Sequence, residues 1–189
     1  MHVAKQHRLF FALCPDTAIQ ARFERAAKML QQTCGGKLTP CENMHLTLVF
    51  LGNIPAGRVD EVRLVAKRLS APAFKLDFNQ LGCWKRQQIG WSAPSEAPQA
   101  LFDLVAKLRQ GLTAAGFVTE GRPYLPHVTL LRKAKCGDDF PVGGDSIEWS
   151  AREFVLVNST QSTHGSEYKI VGRWNLSGSQ GQAYVSDPL

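Results

Sequence analysis

The 189-residue sequence predicts an α+β fold: a bilobal domain whose two pseudo-symmetric lobes, mostly antiparallel sheet with outer helices, surround a central cleft. Two observations carry that expectation. His45-Leu46-Thr47-Leu48 returns later in the chain as His127-Val128-Thr129-Leu130. Around these tetrads, the order strand, helix, strand, helix in the first half is loosely echoed by hairpin, helix, strand in the second. A chain of this length buries a core of its own without disulfides or metals. Residues 1–176 are read as a single bilobal domain, and residues 177–189, rich in Gly, Ser and Gln, as a flexible tail.

The elements follow in order. Leu9-Phe10-Phe11-Ala12-Leu13-Cys14 is an apolar run too short for a signal-peptide core, stopped by Pro15-Asp16, and reads as a first buried strand. Asp16 caps a helix with the face Ile19, Phe23, Ala26 and Leu30, and Gly35-Gly36 ends it. The first tetrad lies in a strand from Met44 to Leu51. A second helix, Gly57 to Leu69, turns Val62, Val65 and Leu69 inward and closes before Pro72. Phe74 to Phe78 alternates as the outgoing arm of a hairpin and Ile89-Gly90-Trp91 returns, with Lys85, Arg86 and Gln87 near the turn. Leu101, Leu104, Val105, Leu108 and Leu112 pattern a third helix that ends near Gly116. The second tetrad strand opens at Pro126-His127, and two last strands cover Ser150 to Asn158 and Glu167 to Trp174.

Composition narrows the function classes. Twenty-two basic against 16 acidic residues give a net charge of +6, which suits an anionic partner and is also common on ordinary soluble proteins. Nothing approaches the apolar length that spans a bilayer, so a cytoplasmic, membrane-free protein is expected. Cys14, Cys34, Cys41, Cys83 and Cys136 are odd in number and contain no C-x-x-C pair; they read as reduced small hydrophobes, without a disulfide framework or zinc site. Phosphate-loop, dinucleotide and nucleophile-elbow motifs are absent.

The tetrads carry the chemistry. In an extended strand, alternate side chains share a face, so His45 and Thr47 point one way while Leu46 and Leu48 point into the core, and the second tetrad repeats this. Brought together across a cleft, two imidazoles and two hydroxyls form an apparatus for proton transfer around an anion. An unperturbed histidine titrates near ~6.5, so one protonated and one neutral ring are both accessible at neutral pH. Two His and two Thr without a nearby carboxylate make a poor ligand set for a hydrolytic metal. Phosphoester hydrolysis by a histidine pair, with no metal and no cofactor, is the chemistry this set supports.

The context His45-Leu46-Thr47-Leu48-Val49-Phe50-Leu51-Gly52, with Pro126-His127-Val128-Thr129-Leu130-Leu131-Arg132, resembles the two-histidine (2H) phosphoesterases. The likeness is nearest to bacterial RNA 2′,3′-cyclic phosphodiesterases, also known as 2′-5′ RNA ligases. That resemblance implies an RNA end bearing a 2′,3′-cyclic phosphate as substrate, opened to a 2′-phosphate, with reversible 2′-5′ ligation as a companion activity. It implies that His45 protonates the departing 3′ oxygen, that His127 activates water, and that Thr47 and Thr129 hold the phosphate. It also places Phe50 and Arg132 in the pocket. Each lies five positions after its motif histidine, which in a regular strand would aim it at the opposite face. A bend, bulge or strand end just after the second apolar residue is therefore expected. Arg132 then pairs with the phosphate and Phe50 offers a flat face to a base or ribose.

Other residues receive plainer readings. Tyr124 is expected to pack its loop onto the body, His164 to be an exposed loop residue, and Trp84, Trp91, Trp149 and Trp174 to fill the core or lobe interface. Lys85-Arg86 is a candidate contact for distal RNA phosphates. Two alternatives stand beside the main reading: a phosphoesterase for another cyclic phosphate or for 2′-5′ oligonucleotides, and a non-catalytic RNA-binding module. Nothing in the sequence requires an oligomer, and a monomer is expected.

Overall fold

A computed structural model describes residues 5–137, 145–162 and 165–176. The first strand, β1 (Gln6–Leu13), leads into α1 (Thr17–Cys34), where the Asp16 side chain accepts from the Ile19 amide at 2.9 Å and Gly35 sits at φ 58° beyond the last turn. A two-residue strand, β2 (Lys37–Leu38), and a 3₁₀ turn precede β3 (Leu46–Pro55), and α2 (Val59–Lys67) follows it. The hairpin is β4 (Phe74–Trp84) and β5 (Ile89–Pro94); α3 (Gln99–Ala114) buries the five apolar residues of its predicted face. Then come β6 (Val128–Arg132), β7 (Ile147–Ala151), β8 (Glu153–Ser162) and β9 (Gly165–Asn175).

All pairings are antiparallel, in one sheet ordered β7-β4-β5-β6-β3-β1-β8-β9, with β2 added to β6. The lobes meet at β3 and β6, joined by the single partnership Leu46↔Val128. One connection fixes the shape. β7 is the strand at one end of the order, β8 is next to the strand at the other end, and only Arg152 lies between them. A flat sheet cannot satisfy that link; this one curls into a half-barrel whose ends approach each other.

Two of the helices cross between lobes. α1 follows β1 yet packs on β5, β6 and β7, with Phe23 edge-on to Phe78 at 5.0 Å and Trp149 at 6.2 Å. α3 packs on α2 and β3. β1 lies between two neighbours and is buried on both faces. Leu9, Phe11 and Leu13 enter the main core, while Phe10 and Ala12 join Val155 and Val157 in a smaller cluster flanked by Phe50 and Tyr168. Through Phe10 and Tyr168, that second cluster lies against His45 of the first tetrad.

Two expectations need correction. The strand expected from Ser150 to Asn158 is two strands broken at Arg152; β7 alternates apolar residues while β8 carries the buried run Phe154 to Val157, and the break serves the crossover rather than any local turn signal. The cysteines are not all reduced thiols, because Cys83 at the end of β4 and Cys136 beyond β6 form a disulfide, 53 residues apart in sequence. β5 separates β4 from β6, and the pairing across it brings together positions that sequence spacing could not connect. Cys14, Cys34 and Cys41 are free. His164 and the tail 177–189 lie outside the described residues.

Candidate active site

Both motif histidines sit one residue before their strands, and both are fixed by the same local bond. His45 donates from Nδ1 to the Asn43 carbonyl at 2.7 Å, and His127 donates from Nδ1 to the Leu125 carbonyl at 2.8 Å. In each case the acceptor lies two residues back, so the backbone selects the tautomer and leaves Nε2 as the nitrogen that exchanges protons. Nε2 of His45 lies 3.0 Å from Thr47 Oγ1, whose hydroxyl donates to the neutral ring.

The bulges are present in both strands at matched positions. Along β1 and β3, partners step from Phe11↔Val49 to Ala12↔Thr47, skipping Leu48; along β5 and β6 they step from Gly90↔Leu131 to Trp91↔Thr129, skipping Leu130. Each skipped leucine is the fourth residue of its tetrad. Two successive residues, Leu48-Val49 and Leu130-Leu131, therefore turn to the core, and the alternation resumes with Phe50 half-buried and Arg132 exposed, on the sides carrying Thr47 and Thr129.

Thr47, Phe50 and His127 line a cleft of about 600 Å³ together with Trp84, Gln87 and Tyr124. His45 stands beside its wall through Thr47, while Thr129 and Arg132 lie along β6 outside the lining. The Arg132 charge nevertheless reaches His45. Aromatic rings brace both imidazoles. The His45 ring lies 4.8 Å from Phe10 at 32° and meets Tyr168 near perpendicular at 5.4 Å; His127 meets Trp84 at 4.6 Å and 76°. Arg8 stacks over Phe50 at 5.0 Å, which covers one face of that ring. Tyr124 packs its loop as expected and also donates to the Thr47 carbonyl at 3.0 Å, tying the second half to the first tetrad.

Sequence reasoning missed Phe10, Asn43 and Tyr168 and assigned Trp84 to packing alone. The alternation of β1 could have exposed Phe10, since its neighbours on both sides belong to the core face. The contacts of Trp84 and Tyr168 are long-range and left no local signal.

Burial pushes His45 down to about 4, opposed by the Asn43 carbonyl and reinforced by the positive charges of His127 and Arg132. His127 is also lowered by burial, against the Leu125 carbonyl. His45 is thus neutral near pH 7, and an anion placed between the rings would favour the protonated form. Among the described residues, no group of three or more His, Cys, Asp or Glu is arranged to hold a metal ion. No described helix is long and apolar enough to cross a membrane.

A duplicated α+β half-barrel, with one His-x-Thr strand from each half brought to a common cleft, is the architecture of a two-histidine phosphoesterase. The chain belongs to the LigT-like phosphoesterase family, whose model matches residues 13–91 and again residues 92–166, one copy for each half. It is 29% identical over 174 residues to the RNA 2′,3′-cyclic phosphodiesterase of Escherichia coli K12, covering 92% of this chain and 99% of that one. The protein of the same name from Thermus thermophilus is 27% identical over 192 residues, 96% of each chain. The crystal structure of E. coli LigT complexed with 3′-AMP superimposes with a TM-score of 0.84 at 30% identity, over 91% of this chain and 99% of that one.

Proposed function

We propose that the protein hydrolyses RNA 2′,3′-cyclic phosphate ends to 2′-phosphates, without a metal or cofactor, by acid–base catalysis between His45 and His127. The observation that carries this reading is the matched Nδ1 anchoring of the two rings, which commits both to Nε2 chemistry. His127 Nε2 takes a proton from water as its oxygen attacks phosphorus. The bond from phosphorus to O3′ breaks, and protonated His45 gives its proton to that oxygen. The phosphate stays on O2′. Thr47 and Thr129 donate to the phosphoryl oxygens, Arg132 balances their charge, and the open face of Phe50 supports the terminal base or ribose.

In the ligand-free protein, His45 resists protonation more strongly than an ordinary histidine. Its acid role therefore depends on the substrate: the phosphodiester anion offsets the burial cost and raises the proton affinity of the ring that must act as acid. The same path, with a 5′ hydroxyl in place of water, joins ends through a 2′-5′ linkage, and hydrolysis dominates in water. Both halves of the site come from one chain, which supports action as a monomer.

The test is incubation with a cyclic-ended oligonucleotide in EDTA, with ³¹P NMR of the product. Release of a 2′-phosphate by the parent and none by His127→Ala is the expected result. Binding without turnover would replace this reading with an RNA-binding module. Turnover confined to linear 2′-5′ oligonucleotides would move the activity to that substrate class.

A further inference from the structure

The cleft that holds Thr47 and His127 is also lined by Arg109 from α3 and by Glu120, Arg122 and Pro123 from the loop before β6. Its volume of about 600 Å³ lies within the ~300–1,000 Å³ of ordinary ligand pockets and exceeds what one phosphate fills. Among the described residues, Arg109 Nε is buried and has no hydrogen-bond partner, while its Nη2 reaches only the Arg122 carbonyl, at 3.4 Å. A buried guanidinium donor without an acceptor is costly unless an anion completes it. The Arg109 charge also acts on the Tyr124 hydroxyl, which itself donates to the Thr47 carbonyl, so the guanidinium lies one side chain away from the first tetrad.

We infer that Arg109 and Arg122 form a subsite for the phosphodiester preceding the reacting one, making the favoured substrate an RNA 3′ end of at least two nucleotides rather than a mononucleoside cyclic phosphate. This inference rests on the proposed function and names its substrate class more narrowly. A planar guanidinium fork matches the oxygens of a phosphodiester. Arg122 is held at the rim by Glu120 at 2.9 and 3.0 Å, which neutralises that carboxylate while the arginine side chain remains 81% exposed and free to offer its other donors. Gln87, in the β4–β5 turn beside the basic residues Lys85 and Arg86, lines the same cleft and continues the path along which a longer strand would run.

Three substrates test this on the wild-type protein: a mononucleoside 2′,3′-cyclic phosphate, a dinucleotide with the same cyclic end, and that dinucleotide with a neutral methylphosphonate as its internal linkage. The dinucleotide is expected to exceed the mononucleotide in kcat/KM by about tenfold or more, and the methylphosphonate to lose most of that advantage. Arg122→Ala should cut the dinucleotide advantage several-fold, with mononucleotide turnover within about twofold of the parent, and Arg109→Met should act more strongly in the same direction. Because Arg109 is partly buried and its loss can disturb folding, the methylphosphonate comparison carries the test without any substitution. Equal kcat/KM for mono- and dinucleotide, or for phosphodiester and methylphosphonate, would overturn the subsite and leave the proposed function standing. Turnover of none of the three would overturn both.

Discussion

The two halves place their histidines by one rule and surround them by different ones. In both, the ring donates to the carbonyl two residues back and the strand bulges at the fourth residue of the tetrad. Around that shared frame, His45 is enclosed by Phe10 and Tyr168 and falls to about 4, whereas His127 has Trp84 at its edge and a milder depression. The position after the bulge is Phe50 in one half and Arg132 in the other. Duplication thus supplies matched geometry, and divergence of the neighbours sets the proton affinities of the two rings apart.

The comparison breaks first at the rings themselves. His45→Ala and His127→Ala should each lower kcat by roughly 10²–10⁴ with the circular dichroism spectrum unchanged. If one variant keeps full activity, the two-ring scheme fails. A stability measurement then sharpens the contrast. Because the folded-state pKa of His45 lies below the unfolded value, the unfolded chain binds the extra proton first, so stability falls as pH drops from about 6.5 to about 4 and the loss then levels off. Its size is on the order of 3 kcal/mol. Urea unfolding across that window should show the loss in the parent and much less of it in His45→Ala.

Position 132 comes next. Arg132→Ala should reduce kcat/KM about 10- to 100-fold and raise the pKa of His45, since a positive charge acting on that ring is removed. NMR titration of the imidazole reads the second effect, and an unmoved His45 with undiminished activity removes Arg132 from the site. Smallest are the hydroxyls: Thr47→Ala and Thr129→Ala should each cost about two- to tenfold in kcat/KM. Thr47→Ala should also perturb the His45 titration, because only Thr47 has a hydrogen bond to its own motif ring among the described residues.

Much of this arrangement was legible in the sequence because the tetrads are local patterns. The alternation of His45-Leu46-Thr47-Leu48 reports a strand face, and the conflict between that alternation and the family place of Phe50 and Arg132 pointed to a bulge where the register shift occurs. The Asp16 cap and Gly35 stop bounded α1 for equally local reasons. What was hidden is long-range. The break at Arg152 falls between two apolar segments with no turn residue to mark it, the Cys83–Cys136 bond joins segments that meet only because β5 lies between β4 and β6, and α1 and α3 cross to the opposite lobe without any residue pattern that says so.

The single-residue link at Arg152 has a mechanical consequence. The lobes are fastened along one seam at Leu46↔Val128 and along another where the chain passes directly from β7 to β8. A body hinged on two separated seams cannot swing like jaws. A groove whose width is set by two such fastenings would select guests by their fit to the gap as it stands rather than by a closing movement that follows their arrival.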